Sequence, residues 1–116
     1  MVMNNICYLL NNFIKCDEFD NIIFCWVLHE ESIIDDILSQ LNLDNCCVYN
    51  ISLICEENEL KKRLKKDIEN HIREESVIQR SINRLPKYSL INSIKIDVSK
   101  ITAKEAASKI AALAVK

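Results

Sequence analysis

The chain contains no glycine in its 116 residues, although ordinary usage of roughly 7% would supply about eight. Glycine lets a backbone approach a phosphate closely, because it has no Cβ and reaches φ angles that other residues avoid. The G-x-x-x-x-G-K-[ST] phosphate loop and the G-x-G-x-x-G turn both depend on it. Neither loop exists in this sequence, so any nucleotide chemistry must rest on side chains or on a partner.

The composition is that of a globular protein, with 49% hydrophobic and 28% charged residues. The length predicts one domain over residues 1–116 with a modest core. A formal net charge of −2 gives no general reason to expect binding to nucleic acid or to an anionic membrane. The longest apolar run, Ile22 to Leu28, is too short to span a bilayer, and no secretory signal begins at Met1. We therefore expect a cytoplasmic chain that binds neither nucleic acid nor membrane.

The six cysteines include no C-x-x-C pair, and the two histidines lie far apart in the sequence. Most of the cysteines lie in or beside apolar segments. This pattern predicts free thiols that act as small, often buried hydrophobes in a reducing compartment. A metal site or a disulfide framework is the alternative. The cysteines are Cys7, Cys16, Cys25, Cys46, Cys47 and Cys55.

Three segments have the composition of β-strands. Asn21 to Leu28 is a continuous run rich in β-branched and aromatic residues, which is typical of a strand covered on both faces. Cys46 to Cys55 has a similar character, and Ser93 to Val98 alternates apolar and polar residues. Helical patterns separate the three, so the sequence predicts an α/β fold with a mainly parallel sheet of about three strands and flanking helices.

Five segments show helical patterns. Residues 4–15 have apolar side chains at helical spacing, and residues 32–41 add a capping-type start at Ser32. A third helix follows residues 56–57, two glutamates that favour its positive end. A fourth is expected to run to about Leu85 and to stop at Pro86. The fifth follows a capping box at Thr102–Glu105.

Three arginines are the most suggestive charges. Arg73, Arg80 and Arg84 are spaced by seven and four residues, so their guanidinium groups would point the same way if one helix carried all three. Such forks suit phosphate and carboxylate oxygens. The alternative is a solvated helix face, because Val77 lies in the same stripe and three glutamates are nearby.

Three stretches occur in an order that points to a known family. They are Val48 to Leu64, then His71-Ile-Arg73, then Asn83 to Tyr88 followed by Ile94 to Ser99. They resemble, respectively, the fourth strand and next helix, the mobile lid, and the R-x-P-x-Y segment with the final strand of shikimate-kinase-like P-loop kinases. The resemblance is to P-loop small-molecule or nucleotide kinases, which share a core with AAA-type ATPases, and it spans roughly residues 20–115. It implies an incomplete three-layer α/β/α fold.

Members of that family transfer the γ-phosphoryl group of ATP to a small acceptor, with Mg²⁺, and the resemblance implies a role for five residues here. Arg63 would lie against the adenine, where a planar cation can stack. Arg73 resembles the lid arginine that neutralises the transferring phosphate. Arg84 resembles an arginine that holds an acidic acceptor. Asp97 and Ser99 would border the adenine through the loop after the last strand.

The departure from the family lies in the phosphate-binding half. The chain resembles the family only from the helix before its third strand, and it has no phosphate-loop lysine and no identifiable Mg²⁺ carboxylate. We therefore expect no phosphoryl transfer by the chain alone, although a nucleotide or another anion could bind weakly. The missing first strand of the family lies between its third and fourth strands, so the remaining sheet has unpaired backbone groups. The two strands beside the gap could pair directly, or a second copy of the chain could supply a strand by swapping or edge pairing. Of these we expect a homo-oligomer.

Two other functions fit the sequence. The first is a non-enzymatic, self-associating interaction domain that uses its exposed sheet edges. The second is an enzyme of unrelated mechanism that uses His29, Glu30, Asp35 or a cysteine.

Overall fold

The computed structural model describes residues 2–114 of the chain. The residue contacts group into two compact units, residues 1–49 and residues 50–116. Within the described residues the first unit contains two helices, and the second contains three helices and a two-stranded parallel sheet. The predicted α/β class with parallel strands is therefore confirmed.

The first unit is built on α1 (Val2–Lys15) and α2 (Glu31–Ser39). Both helices are amphipathic, because apolar residues recur along them at helical spacing. Their apolar faces pack on each other in one small cluster. The buried members of that cluster are Cys7, Leu10 and Ile37, and Met3, Ile6, Phe24, Leu28, Ile33 and Leu41 pack against them.

A single asparagine holds the chain that follows α2 against α1. The Asn11 side chain donates from Nδ2 to the carbonyl of Gln40 over 3.0 Å, and its Oδ1 accepts the amide of Asn42 at 2.9 Å. Both backbone groups lie just beyond the last turn of α2, where no further helical bond can satisfy them. Asn11 therefore replaces the missing helical partners.

The apolar run at residues 21–28 is not the buried strand that its composition predicts. It belongs to no strand, and Ile22, Ile23, Trp26 and Val27 are exposed, with Ile23 at 82%. A strand needs a neighbouring backbone to complete its hydrogen bonds. No strand is found elsewhere among residues 2–49, so this unit offers the run no ladder partner. The described sheet therefore has two strands, where three were expected.

The second unit contains β1 (Ile51–Ile54) and β2 (Ile94–Asp97), which pair in parallel with Ile51 opposite Ile94. The predicted strand at Ser93 to Val98 is confirmed, and the one at residues 46–55 is shortened to its C-terminal half. The buried Ser52 and the half-buried Ser93 form a hydroxyl pair beside the paired strands, with their Oγ atoms 2.7 Å apart. The buried hydrophobic residues of this unit are Leu64, Ile91, Ile96 and Ala106.

Helices α3 (Glu57–Glu69) and α4 (Val77–Tyr88) connect the two strands, and α5 (Ala103–Ala114) follows β2. A parallel pair needs such a long crossover. The predicted capping box before α5 is confirmed: the Glu105 amide donates to Thr102 Oγ1 at 3.1 Å, and the Thr102 amide donates to Glu105 Oε1 at 3.3 Å.

Several predicted helix boundaries differ from the structure, among them the start of the first helix, which lies at Val2 and not at residue 4. The second helix begins at Glu31, one residue before Ser32, and its N-cap residue Glu30 makes no side-chain capping bond. The backbone of Glu30 is extended, and its carbonyl accepts the amide of Ile33 at 3.1 Å. The fourth helix continues past Pro86 to Tyr88. Pro86 lacks the bond to the carbonyl of Ile82 and its ring crowds that carbonyl, and the helix ends two residues later, at Tyr88.

Because the chain has no glycine, another residue takes the left-handed backbone conformation where α3 ends. His71 has φ 58°, a left-handed conformation that glycine usually supplies after a helix. The His71 amide donates to the carbonyl of Ile68 at 3.0 Å, and the Ile72 amide donates to the carbonyl of Asp67 at 2.8 Å. These two bonds make up a Schellman motif. Histidine tolerates this conformation better than most residues but still strains in it.

Replacing His71 with glycine is therefore expected to raise the free energy of unfolding by about 0.5–1 kcal/mol. Relief of the left-handed strain outweighs the extra entropy that glycine has in the unfolded chain. Urea denaturation measures the change. Asn70→Gly is the matched control, because Asn70 has φ −89° and gains nothing from glycine. An equal or larger gain for Asn70→Gly would contradict the explanation.

The cysteines do not share one environment. Cys7 is buried, and its thiol lies 4.0 Å from the carbonyl oxygen of Ile37, as expected for a thiol that packs as a small hydrophobe. Cys25, Cys46 and Cys47 are exposed. The prediction of buried thiols is wrong for these three, because residues 21–28 form no strand and β1 begins only at Ile51, so all three cysteines lie outside the sheet. All six cysteines are free of disulfides.

Candidate functional site

Three of the predicted site residues meet where the parallel strands end. Asp97 is the last residue of β2, Ser99 follows it by two residues, and Arg63 lies on α3, the helix that begins three residues after β1. Ligands of open α/β sheets bind outside the carboxyl ends of the strands. We call Arg63, Asp97 and Ser99 the strand-end cluster.

Arg63 holds the loop after β2 with one end of its guanidinium. Its Nη2 donates to the carbonyl of Val98 at 2.6 Å and to that of Ser99 at 3.2 Å, and it lies 3.5 Å from the carbonyl oxygen of Ile101. Its Nε donates to Glu59 Oε1 at 3.2 Å, one turn earlier on α3. The edge of the guanidinium is therefore fixed, although the side chain is still 39% exposed.

Ser99 connects the loop to both neighbouring elements. Its amide and its hydroxyl donate to Asp97 Oδ1 at 2.9 and 2.6 Å. The same hydroxyl accepts the amide of Glu56, the N-cap residue of α3, at 2.8 Å. Ser99 is one of two buried polar residues of the described chain, and these three bonds satisfy its donor and acceptor groups.

The Asp97 carboxylate stays charged well into acid. The hydrogen bond from the Ser99 hydroxyl lowers its pKa below the ordinary value of 3.8, and the bond from the Ser99 amide lowers it further. The charges of Lys100 and Lys109 act in the same direction. Both Ser99 bonds go to Oδ1, and Asp97 as a whole is exposed.

The two helix N-termini at this end of the sheet already have side-chain partners. At α3 the Glu56 amide is bonded to Ser99, and acidic residues stand in the first turn. At α5 the capping box bonds the amides of Thr102 and Glu105. An anion at these termini would meet the Glu105 carboxylate and, at α3, the acidic first turn, whereas a neutral planar ring carries no charge for them to repel. The local charge therefore suits a neutral ring with hydrogen-bond donors better than a phosphate.

Arg73 does not share a helix with Arg80 and Arg84. It is in the exposed turn between α3 and α4, which begins four residues later at Val77. Its Nε donates to Asp67 Oδ2 at 3.1 Å. One helix therefore does not carry all three arginines, because the chain after α3 turns through the Schellman motif before α4 starts.

Arg80 and Arg84 are both on α4, one helical turn from each other. Arg80 is exposed and Arg84 is half-buried. The neighbours of Arg84 line an open depression of about 580 Å³ at the beginning of α3 and the end of α4. Its lining residues are Glu57, Ile82, Asn83, Leu85 and Pro86. Two of these lining residues are Pro86 and Ile82, and the carbonyl of Ile82 has no helical hydrogen bond because proline has no amide hydrogen.

Sequence reasoning missed two parts of the strand-end cluster. It did not foresee that Arg63 would bond to backbone carbonyls, or that Ser99 would cap the helix after β1. The Asp97-x-Ser99 pattern was a usable signal for the second, since such side chains commonly bond to backbone two residues away. Among residues 2–114, no group of three His, Cys, Asp or Glu residues is placed to hold a metal ion.

Comparisons of the chain with protein-family models, with curated proteins and with solved structures found no match. Within residues 2–114, no helix combines the length and the apolar character needed to cross a bilayer.

Proposed function

We propose that the chain binds the base of a nucleotide at the strand-end cluster, as the base-side portion of a P-loop kinase-like fold, and performs no phosphoryl transfer by itself. The observation that carries the proposal is the meeting of Arg63, Asp97 and Ser99 at the carboxyl ends of two parallel strands. The resemblance to P-loop kinases implies that these residues lie on the adenine side.

The fixed guanidinium of Arg63 supports stacking. A planar cation attracts the face of an aromatic ring, and an arginine whose edge is already bonded loses little further freedom when a ring binds. Asp97 adds an ionised oxygen that can accept a hydrogen bond from an exocyclic amino group such as that of adenine.

The absence of phosphoryl transfer follows from the sequence. Catalysis in this class rests on positioning and neutralising the β- and γ-phosphates through a glycine-rich loop, its lysine and Mg²⁺. A chain with no glycine cannot form that loop. In this proposal Arg73 and Arg84 contribute cations for the phosphates and for an acidic acceptor.

At equal concentration, ATP is expected to raise the melting temperature more than adenosine does, because Arg73 and Arg84 add contacts to its phosphates, and inorganic phosphate alone is expected to have little effect. At about ten times the dissociation constant, either ligand would add about 1.4 kcal/mol to the free energy of unfolding, or roughly 5 °C for a chain of this size. Thermal melting with each ligand measures this. A shift that phosphate reproduces, or no shift with adenosine, would contradict base binding.

Three variants separate the roles. Arg63→Lys keeps the charge but removes the planar group, so the adenosine shift is expected to disappear. Arg73→Ala and Arg84→Ala leave the strand-end cluster intact and are expected to reduce only the additional effect of the phosphates of ATP. If nucleotide stabilises the wild type and neither arginine variant weakens the effect, the lid and acceptor assignments are wrong.

A second candidate is a non-enzymatic interaction domain that self-associates through its sheet. Parallel sheets are normally covered on both faces, yet Leu53 and Ile94 are 50% and 41% exposed. The order β1–β2 also leaves one edge of each strand unpaired within the described residues. This candidate predicts a dimer that persists at high salt and a melting temperature that nucleotides do not change.

A further inference from the structure

The two units carry opposite charge. Residues 1–49 contain eight Asp and Glu residues against one lysine, a net charge of −7. Residues 50–116 contain fourteen Lys and Arg residues against nine Asp and Glu residues, a net charge of +5. The overall net charge of −2 does not reveal this unequal distribution of charge between the two units, which is large for a chain of this length.

The positive charge is densest on α3, where five of the six residues at positions 61–66 are Lys or Arg. Arg63 turns to the strand ends, and the other four form one surface. Helical geometry puts them within an arc of about 140°, in two rows whose members are about 6 Å apart along the axis. We call this surface the lysine face, and its residues are Lys61, Lys62, Lys65 and Lys66.

The lysine face forms no ion pair with its own helix in the described residues, although Glu57 and Glu69 lie one turn from Lys61 and Lys65. Among residues 2–114, the ion pairs join other groups, and none of these four lysines takes part in one. Lys61 with Lys65, and Lys62 with Lys66, are like-charge pairs at a spacing that destabilises a helix. Such a surface is expected where a partner of opposite charge binds.

The complementary surface is on the first unit. All eight acidic residues of that unit are exposed. Three of them lie on α2 within a similar arc of about 140°, opposite the buried Ile34 and Ile37. We call this surface the acidic face, and its residues are Glu31, Asp35 and Asp36.

We propose that a second copy of this chain binds the lysine face of α3 through the acidic face of its own α2. In a two-fold dimer the contact occurs twice, since each copy supplies one lysine face and one acidic face. Charge complementarity of this kind sets orientation and partner choice. The inference does not rest on nucleotide binding, and it differs from sheet-edge pairing because salt weakens it.

Sedimentation velocity on the full chain tests the proposal through its salt dependence. A dimer is expected at low ionic strength, and its dissociation constant is expected to rise at least tenfold between about 20 mM and 500 mM salt, as the Debye length falls from about 20 Å to about 4 Å. A chain that is monomeric at all concentrations and salt levels would overturn the proposal. So would a dimer that salt does not weaken, which would support the sheet-edge interface.

Charge reversal provides the sharper test. Lys62→Glu with Lys65→Glu, and separately Asp35→Lys with Asp36→Lys, are each expected to be monomeric at low salt. When the two variants are mixed, both contacts pair opposite charges again, so a heterodimer is expected. Failure of the mixture to associate would overturn the proposal. So would variants that change only the shape of a monomer, because that result would indicate that the lysine face and the acidic face bind each other within one chain.

The matched control changes the net charge by the same amount elsewhere in the same unit. Lys104→Glu with Lys109→Glu alters two exposed lysines of α5 and is expected to leave the low-salt dimer within threefold of the wild type. Circular dichroism confirms that each variant is folded. A control that dissociates as readily as the α3 variant would show that net charge, and not the lysine face, governs association.

Discussion

Arg63→Ala is expected to lower the free energy of unfolding by about 2–3 kcal/mol. The substitution leaves the carbonyls of Val98 and Ser99, which accept bonds of 2.6 and 3.2 Å, without their charged donor. A hydrogen bond to a charged group contributes about 1.5–3 kcal/mol. One nitrogen makes these contacts and the side chain is 39% exposed, so the bonds do not add in full.

Urea denaturation of the variant and the wild type measures this loss. Arg73→Ala is the matched control, because it removes the same side chain from the same unit. The Arg73 side chain is 51% exposed and its bridge to Asp67 is on the surface, so its loss is expected to cost about 0.5 kcal/mol or less. Equal losses for the two variants would show that Arg63 is only a surface arginine.

Ser99→Ala is expected to cost about 1–2 kcal/mol. The hydroxyl accepts the Glu56 amide at the start of α3 and donates to Asp97. Its loss leaves a helix-terminal amide without its capping oxygen, and such a loss typically costs about 1 kcal/mol. The residue is also buried, so water does not easily replace the lost bonds.

Ser108→Ala is the control for this variant. Its hydroxyl donates to the carbonyl of Lys104 on the exposed side of α5, a bond within a helix that solvent can replace. We expect its effect on unfolding to be within about 0.5 kcal/mol of zero. If Ser108→Ala destabilised as much as Ser99→Ala, the link between the loop and α3 would have no special role.

Ser99→Ala is also expected to change the pKa of Asp97, which affects stability at acid pH. The pKa of Asp97 is lower in the folded protein than the ordinary 3.8, so its bonds from Ser99 stabilise the fold above pH 3.8. That contribution is lost as the pH falls through the lowered pKa. In Ser99→Ala the pKa of Asp97 is expected to move back toward 3.8, which carboxyl NMR titration can follow. An unchanged pKa would mean that the backbone amide of residue 99, which the substitution keeps, and the charges of Lys100 and Lys109 cause the shift.

Much of the second unit was predictable, because its signals are local. Residues 57–69, 94–97 and 103–114 have patterns that fix their type without reference to the rest of the chain. The meeting of Arg63 with Asp97 and Ser99 was expected from the resemblance, and parallel pairing is what unites them: the crossover through α3 and α4 brings both strand ends to the same side.

The first unit shows where such reasoning fails. Composition predicts a buried strand for residues 21–28, but a strand exists only where a second backbone completes its hydrogen bonds. Pattern alone does not supply that partner. The three exposed cysteines follow from the same error, since their burial was expected from strands that do not extend over them.

The sequence by itself determined that no glycine-rich phosphate loop can form, which helices are amphipathic, and how unequally charge is divided between residues 1–49 and 50–116. These are properties of composition and short-range spacing. Only the tertiary structure decided that Arg63 donates to the carbonyl of Val98, 35 residues away in the chain. It also decided that the Ser99 hydroxyl accepts the amide of Glu56, 43 residues before it, at the start of α3. Such contacts depend on strand pairing, and no local pattern encodes the position of a distant backbone carbonyl or amide.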